Sequence, residues 1–326
     1  MRLIGAMAFG LAFGLAVAVG GAPAHAQDNY PNHPIKFVQG FPAGGNADAI
    51  TRVLGAEMAK GLGQPVISEA RVGAGGNIAA EQVARGTPDG YTLLLATTAH
   101  VVSPALYASL NYDPVGDFAF ISSVTNVPFF IVTYADSPYH TLNDLVDAAK
   151  AKPGAINIGT AGIGTGQHMC LELFASTLGV KIQHVPFRGD AGAVTGLLTK
   201  NVDAVVAPAT AVLGNIQGGK FRALAITAKE RWPALKEVPT VAETVSPDFE
   251  MIAWIGAATT HGTPKPIIDR LNAEFRRVIA LPAVAEQLRN LGGFPASGSP
   301  EQATERVKFE IARWKDVAKK AGITPR

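Results

Sequence analysis

Short apolar runs alternate with helical patterns along this chain, and that alternation limits its fold more than any other feature. Strand candidates fall at 35–39, 65–68, 92–96, 118–124, 156–159, 182–185, 203–206 and 222–227. Between them, apolar residues recur at helical spacing over 46–61, 77–85, 141–151, 166–178, 190–199 and 210–218. A strand, a covering helix and a second strand make one parallel unit. The pattern therefore predicts an α/β fold with parallel sheets. Gly and Pro punctuate the junctions, as at Thr87-Pro88-Asp89-Gly90 and Lys152-Pro153-Gly154.

Two segments break the rhythm. Residues 118–134 and 249–259 are β-rich runs with no helix inside. Both read as β-type crossovers between two α/β lobes. From Pro264 the tail is helical: Leu271, Phe275, Val278 and Ile279 fit one face, and 300–320 is a charged amphipathic helix ending before Gly322. The tail returns to the first lobe. The expected division is 27–124 plus 253–326 for one lobe and 125–252 for the other.

Residues 1–26 stand apart. Arg2 precedes the small and apolar stretch Leu3 to Val19, then Gly20, Gly21 and Pro23 break it before Ala24-His25-Ala26. That is the layout of a secretory signal peptide cleaved after Ala26, and the A-x-A ending favours cleavage over retention as an anchor. No later stretch is long and apolar enough to span a bilayer. The 300 residues from 27 to 326 carry 27 basic and 26 acidic side chains, without the basic field a nucleic-acid binder needs. Cys170 is the single cysteine, so no intramolecular disulfide can form, and its helical setting is that of a small packed residue. An exported, cysteine-poor chain without an anchor points to a bacterial periplasm.

Catalytic and cofactor patterns are sparse. There is no G-x-S-x-G elbow, no H-E-x-x-H, and no pair of histidines at ligand spacing, so neither a metal nor a cofactor is expected. Gly214 to Phe221 matches a P-loop up to the last position, where Phe221 replaces the hydroxyl that binds Mg²⁺. It also precedes a strand and reads as a helix C-terminal turn. Gly73-Ala74-Gly75-Gly76-Asn77 fails as a dinucleotide fingerprint because Ile78 stands where the third glycine belongs; it reads as a turn before an Asn-capped helix. The one conceivable nucleophile–base pair is Thr165 with His168.

Two junctions remain. Phe41-Pro42-Ala43-Gly44-Gly45 follows one strand and opens a helix, and Gly159-Thr160-Ala161-Gly162-Ile163-Gly164-Thr165 does so in the other lobe. Both lie at strand C-terminal edges, where open α/β sheets bind ligands. Glycine lets backbone approach closely, and helix N-termini favour anions. Facing each other, the loops would grip a carboxylate.

These loops and several further motifs resemble the Bug receptors, the TctC-like solute-binding components of tripartite tricarboxylate transporters. Tyr30-Pro31-x-x-Pro34-Ile35, Phe41-Pro42-Ala43-Gly44-Gly45-x-x-Asp48, Gly73-Ala74-Gly75-Gly76-Asn77 and Pro88-Asp89-Gly90-Tyr91-Thr92-Leu93-Leu94 occur in order. Gly164-Thr165-x-x-His168, His184-Val185-Pro186-Phe187-Arg188-Gly189, Leu224-Ala225-x-Thr227, Val238-Pro239-Thr240-x-x-Glu243 and Pro264-Lys265 follow. The resemblance implies a periplasmic binding protein of Venus-flytrap form that holds a small organic acid between its lobes through backbone N–H groups and ordered water.

By position, the resemblance implies ligand contacts at Phe41, Ala43, Gly44, Gly45, Asp48, Thr97 and Thr98 on one side. On the other it implies Ala161, Gly164, Thr165 and His168, with Arg188 and Asp190 near the mouth. Asp48 reads equally as a complement to its helix dipole, His168 as a satisfied helix-start histidine, and Arg188 as a solvated surface residue. The implied partners are large and small membrane subunits of a tripartite tricarboxylate transporter, unless the receptor is an orphan, and the implied state is a monomer. A sensory role on a signalling protein, or further off a periplasmic hydrolase, are the alternatives. The chain departs from the family where Asn46-Ala47 replaces the usual hydroxyl residue; Asn46 can still cap the helix, but the ligand is not carried over.

Overall fold

A computed structural model describes residues 29–320 and 322–325, so the expected signal peptide lies outside the described residues. The first strands and helices are β1 (Ile35–Gln39), α1 (Asn46–Leu62), β2 (Val66–Ala70), α2 (Asn77–Ala84), β3 (Thr92–Thr97) and α3 (Thr98–Leu106). The long strand β4 (Phe118–Tyr134) follows, then α4 (Leu142–Ala151), β5 (Asn157–Thr160), α5 (Gly166–Leu178), β6 (Gln183–Pro186) and α6 (Asp190–Leu198). Next come β7 (Ala204–Pro208), α7 (Ala209–Gln217), β8 (Phe221–Ile226), α8 (Val241–Thr244) and β9 (Ile252–Thr260). The tail holds α9 (Lys265–Ala280), α10 (Pro282–Asn290), β10 (Phe294–Pro295) and α11 (Pro300–Lys320).

Local chemistry explains several boundaries. Thr141 and Asp144 close a capping box at the start of α4, each side chain accepting the other's backbone N–H. The tail splits at Pro282, which cannot donate to the helix before it and so starts α10 as its first residue. The P-loop-like stretch closes α7 and leads into β8, as its turn chemistry suggested. Gly76, not Asn77, caps α2. The Asn77 carboxamide oxygen instead accepts from Ser103 and Tyr112, at 2.7 and 2.8 Å, and so ties α2 to α3 and the loop beyond it.

The expected parallel order holds on the flanks, and the two segments that break the rhythm, read as crossovers, form the antiparallel centre. β2-β1-β3 are parallel, as are β7-β5-β6. Between these sets lie β9 and β4, which run antiparallel to their neighbours, so the full order is β2-β1-β3-β9-β4-β7-β5-β6. An apolar run carries no sense of direction; the route between strands sets it. β7 and β8 both lie antiparallel to β4, one along each edge, so the β7–α7–β8 unit straddles β4.

β4 joins the two halves of this sheet. It pairs with β9 as far as Pro128, and from Phe129 onward with β7 and β8. The chain returns through the segment that ends at Met251. Buried Thr227 ties outgoing and returning strands together: its hydroxyl accepts from Phe129 N–H at 2.9 Å and donates to Met251 C=O at 2.6 Å. Each half has its own core. Phe37 meets Phe275 edge-on at 5.8 Å in one, and Phe130, Leu197, Val205 and Trp232 pack in the other.

Candidate functional site

Five strands, β1, β3, β5, β6 and β7, each run directly or through a short loop into a helix, and all five helices start at one cavity of about 770 Å³. Its wall includes Asn46 and Ala47 of α1, Thr98 and Ala99 of α3, Gly166 and Gln167 of α5, Asp190 and Ala191 of α6, and Thr210 and Ala211 of α7. The first N–H groups of a helix have no partner inside it, and the aligned peptide dipoles leave that end positive. Five such ends around one space favour an anion there. Phe129, Val127, Ala253 and Ile255 supply an apolar floor.

In the first loop, Phe41, Ala43, Gly44 and Gly45 line the cavity, but not every N–H faces it. Phe41 N–H donates to the Gln39 side chain at 2.7 Å, and Gly44 N–H donates to Asp48 at 2.9 Å. Ala43, Asn46 and Ala47 keep N–H groups without a partner among the described residues. Asp48 is buried and off the cavity wall; besides Gly44 it accepts from Arg52 and Ser68, each at 3.0 Å. Burial pushes its carboxyl up, yet the bonds from Gly44, Arg52 and Ser68 outweigh that and hold it below its usual value. Asp48 is thus placed as a brace of the loop.

The second loop repeats this device with another side chain. Gly164 N–H donates to His168 Nδ1 at 3.4 Å, and the far nitrogen of the ring lies 3.4 Å from Glu172. The His184 ring stacks on the His168 ring at 4.3 Å. The Thr165 hydroxyl caps α5 and donates to Gly162 C=O at 2.8 Å. Thr165 and His168 are therefore not paired as nucleophile and base. Neither they nor Gly164 reach the cavity wall, whereas Ala161, Gly166 and Gln167 do.

Thr97 and Thr98 line the cavity, but their hydroxyls hold structure. Thr97 caps α3 through Ala99 N–H, and Thr98 bonds both backbone groups of the buried Trp254. Asn46 is the first residue of α1 and does not cap it. Its amide donates to Thr210 Oγ1 and Leu291 C=O, each at 2.9 Å, so it reaches across from α1 to α7 and the tail.

The wall carries two charged side chains, Arg188 and Asp190. Arg188 is exposed and makes no ion pair among the described residues. Asp190 is half-buried on the wall, and desolvation pushes its pKa up to about 6, opposed by a 2.9 Å bond from Gln167.

Thr97 and Thr98 are expected here from the sequence as strand-end residues, but not as the start of a helix, and neither α7 nor Gln167 is expected. The α7 junction was legible in principle, since 203–206 and 210–218 already read as strand then helix. It lacked only the glycines that drew attention elsewhere.

The family described as "Tripartite tricarboxylate transporter family receptor" (TctC) matches residues 50–323. The periplasmic binding protein BugD is 34% identical, with a TM-score of 0.85 over 91% of this chain and 100% of BugD. R. palustris Rpa4515 with adipate is 32% identical, with a TM-score of 0.87 over 91% and 100% of the two chains. MatC from Rhodopseudomonas palustris with bound malate is 33% identical, with a TM-score of 0.81 over 88% and 99%. The two-lobed periplasmic-binding-protein fold read from the sequence is therefore the observed one, and this chain belongs to the TctC family of tripartite tricarboxylate transporter receptors, the Bug-type solute-binding proteins.

Proposed function

We propose that this protein is a periplasmic receptor that captures a small organic acid and delivers it to the large and small membrane subunits of a tripartite tricarboxylate transporter. The carrying observation is the convergence of five helix N-termini on one cavity whose wall adds a single arginine and a single carboxylate. Such a site holds an anion by fixed N–H dipoles, without covalent chemistry. The lobes are 27–124 with 253–326, and 125–252, and the chain acts as a monomer after export and cleavage following Ala26.

In this reading Ala43, Asn46 and Ala47 present N–H groups from one side, and Ala161, Gly166 and Gln167 from the other. Phe41, Gly44, Gly45, Thr97 and Thr98 shape the space, and Arg188 and Asp190 meet the ligand's polar ends. The test is calorimetry and thermal shift on the exported protein with a panel of mono- and dicarboxylates that includes adipate and malate. An acid present at a hundred times its Kd stabilises by about 2.7 kcal/mol, which a melting curve resolves. A panel in which no acid moves the melting temperature sinks the proposal.

A further inference from the structure

Asp190 does not fit a site built only to attract anions. It stands at the first turn of α6, with its side chain on the cavity wall. Among the described residues one donor reaches its carboxylate, the Gln167 amide, which bonds Oδ1 at 2.9 Å. Oδ2 is left without a protein partner, and Arg188 is not within ion-pairing distance. The Gln167 donor and the N-terminal end of α6 favour its ionised form, against the desolvation that raises its pKa. Gln167 also lies at the N-terminus of α5, so an anion held there sits beside the Asp190 carboxylate.

A carboxylate that faces a second carboxylate across a partly dehydrated space repels it. An open acceptor in the same space instead attracts a donor, most strongly a cation. Beside Asp190 the wall near α6 and α7 is largely apolar, with Ala191, Val194, Pro208 and Ala211, and its polar groups are the hydroxyls of Thr195 and Thr210 and the one cation, Arg188.

We infer that Asp190 sets the ligand class: the acid this cavity takes carries an amine or hydroxyl that donates to the Asp190 carboxylate, and plain dicarboxylates are disfavoured. The inference rests on the carboxylate-receptor reading above. It narrows the site from organic acids in general to amino- or hydroxy-acids, with one carboxylate on the helix N-termini and the donor at Asp190.

Matched acids test it. Succinate, malate and aspartate share one skeleton and differ at carbon 2 by hydrogen, hydroxyl or ammonium; adipate and 2-aminoadipate repeat the contrast at greater length. Each is titrated by calorimetry into the wild-type protein and into Asp190→Asn. The variant keeps the shape and the Gln167 contact, and its melting curve reports whether it is folded. The expected result is at least a tenfold preference of the wild type for the donor-bearing acid of a set. In Asp190→Asn that preference shrinks severalfold because the plain acid gains affinity. The size of the ammonium effect against the hydroxyl effect tells which donor the site is built for.

Plain and donor-bearing acids that bind the wild type equally overturn the inference and leave carboxylate capture standing. So does a preference that Asp190→Asn does not change. Failure of every acid to bind either protein overturns the receptor reading itself, and the inference with it.

Discussion

At Gly44 and at Gly164 the backbone takes the same φ of 81°, and in each loop that glycine's N–H turns inward to a side chain four residues on. The side chain is Asp48 in one half of the molecule and His168 in the other. Asp48 accepts at 2.9 Å, carries charge, and is itself held by Arg52 and Ser68. His168 accepts at 3.4 Å through one neutral ring nitrogen. A charge-assisted bond is roughly twice as strong as a neutral one, and distance widens the gap. The glycine of the first loop is thus held by the stronger bond, while the second loop relies also on its threonines, Thr165 donating to Gly162 C=O and Thr160 accepting from Gly162 N–H.

Removing the braces tests that asymmetry most directly. Asp48→Ala leaves the Gly44 N–H and the Ser68 hydroxyl without their acceptor. It is expected to cost about 2–4 kcal/mol of stability, with ligand affinity falling by more than tenfold. His168→Ala is expected to cost about half as much or less on the same scales. Equal losses in thermal unfolding and calorimetry would show that the two loops are equally stiff.

The glycines should behave alike. An alanine at either position adopts a left-handed conformation at a cost of about 1–2 kcal/mol. Neither added Cβ meets an atom closer than ordinary contact: nothing lies within 4 Å at Gly44, and the Tyr107 hydroxyl lies 3.5 Å away at Gly164. Denaturant unfolding of Gly44→Ala and Gly164→Ala should therefore give matching losses. Unequal values would place the difference in the backbone rather than in the braces.

Acid should separate Asp48 from Asp190. Asp48 has a lowered pKa, so its contribution is present above the unfolded value of 3.8 and is lost only as pH falls through its lower folded value. Asp190 has a raised pKa. Its protonated form stabilises the ligand-free protein at low pH, and this contribution is lost as pH rises from 3.8 through about 6. At pH 7.5, Asp190→Asn should melt about 2–5 °C above wild type, after allowance for the part of the side chain open to the cavity. The gap should close as the pH is lowered toward the unfolded value. A gap that does not change with pH would mean that Asp190 is not the group responsible.

The smallest effect concerns Asn46. Asn46→Ala removes two bonds to α7 and the tail, at about 0.5–1.5 kcal/mol each. It should lower the melting temperature by no more than a few degrees and ligand affinity by severalfold. A large loss of stability would make Asn46 a fold residue rather than a cross-cavity contact.

How much of this was legible varies by element. Strands and helices with clean periods, such as β1, α1 and α5, read directly, and so did the two glycine loops. Thr98-Ala99-His100-Val101-Val102-Ser103-Pro104 did not read as α3. Its β-branched residues and Pro104 oppose a helix locally, and burial of nearly every side chain overrides them. Asp48 and His168 were visible as residues of interest, but whether each faces a ligand or its own loop depends on which way a glycine N–H turns. Asn46 was visible as a departure from the family; its partners are 164 and 245 residues away, beyond any local pattern.

Thr227 gives the molecule a mechanical property that neither loop supplies. One hydroxyl is bonded to both spans that link the halves, so a twist in the outgoing span is transmitted to the returning one. Two independent tethers would let the halves slide and splay. The Thr227 pin lies directly behind the cavity floor, since Phe129 is on the cavity wall, and it extends the β4–β9 ladder, which ends at Pro128 and Ile252, by one cross-link.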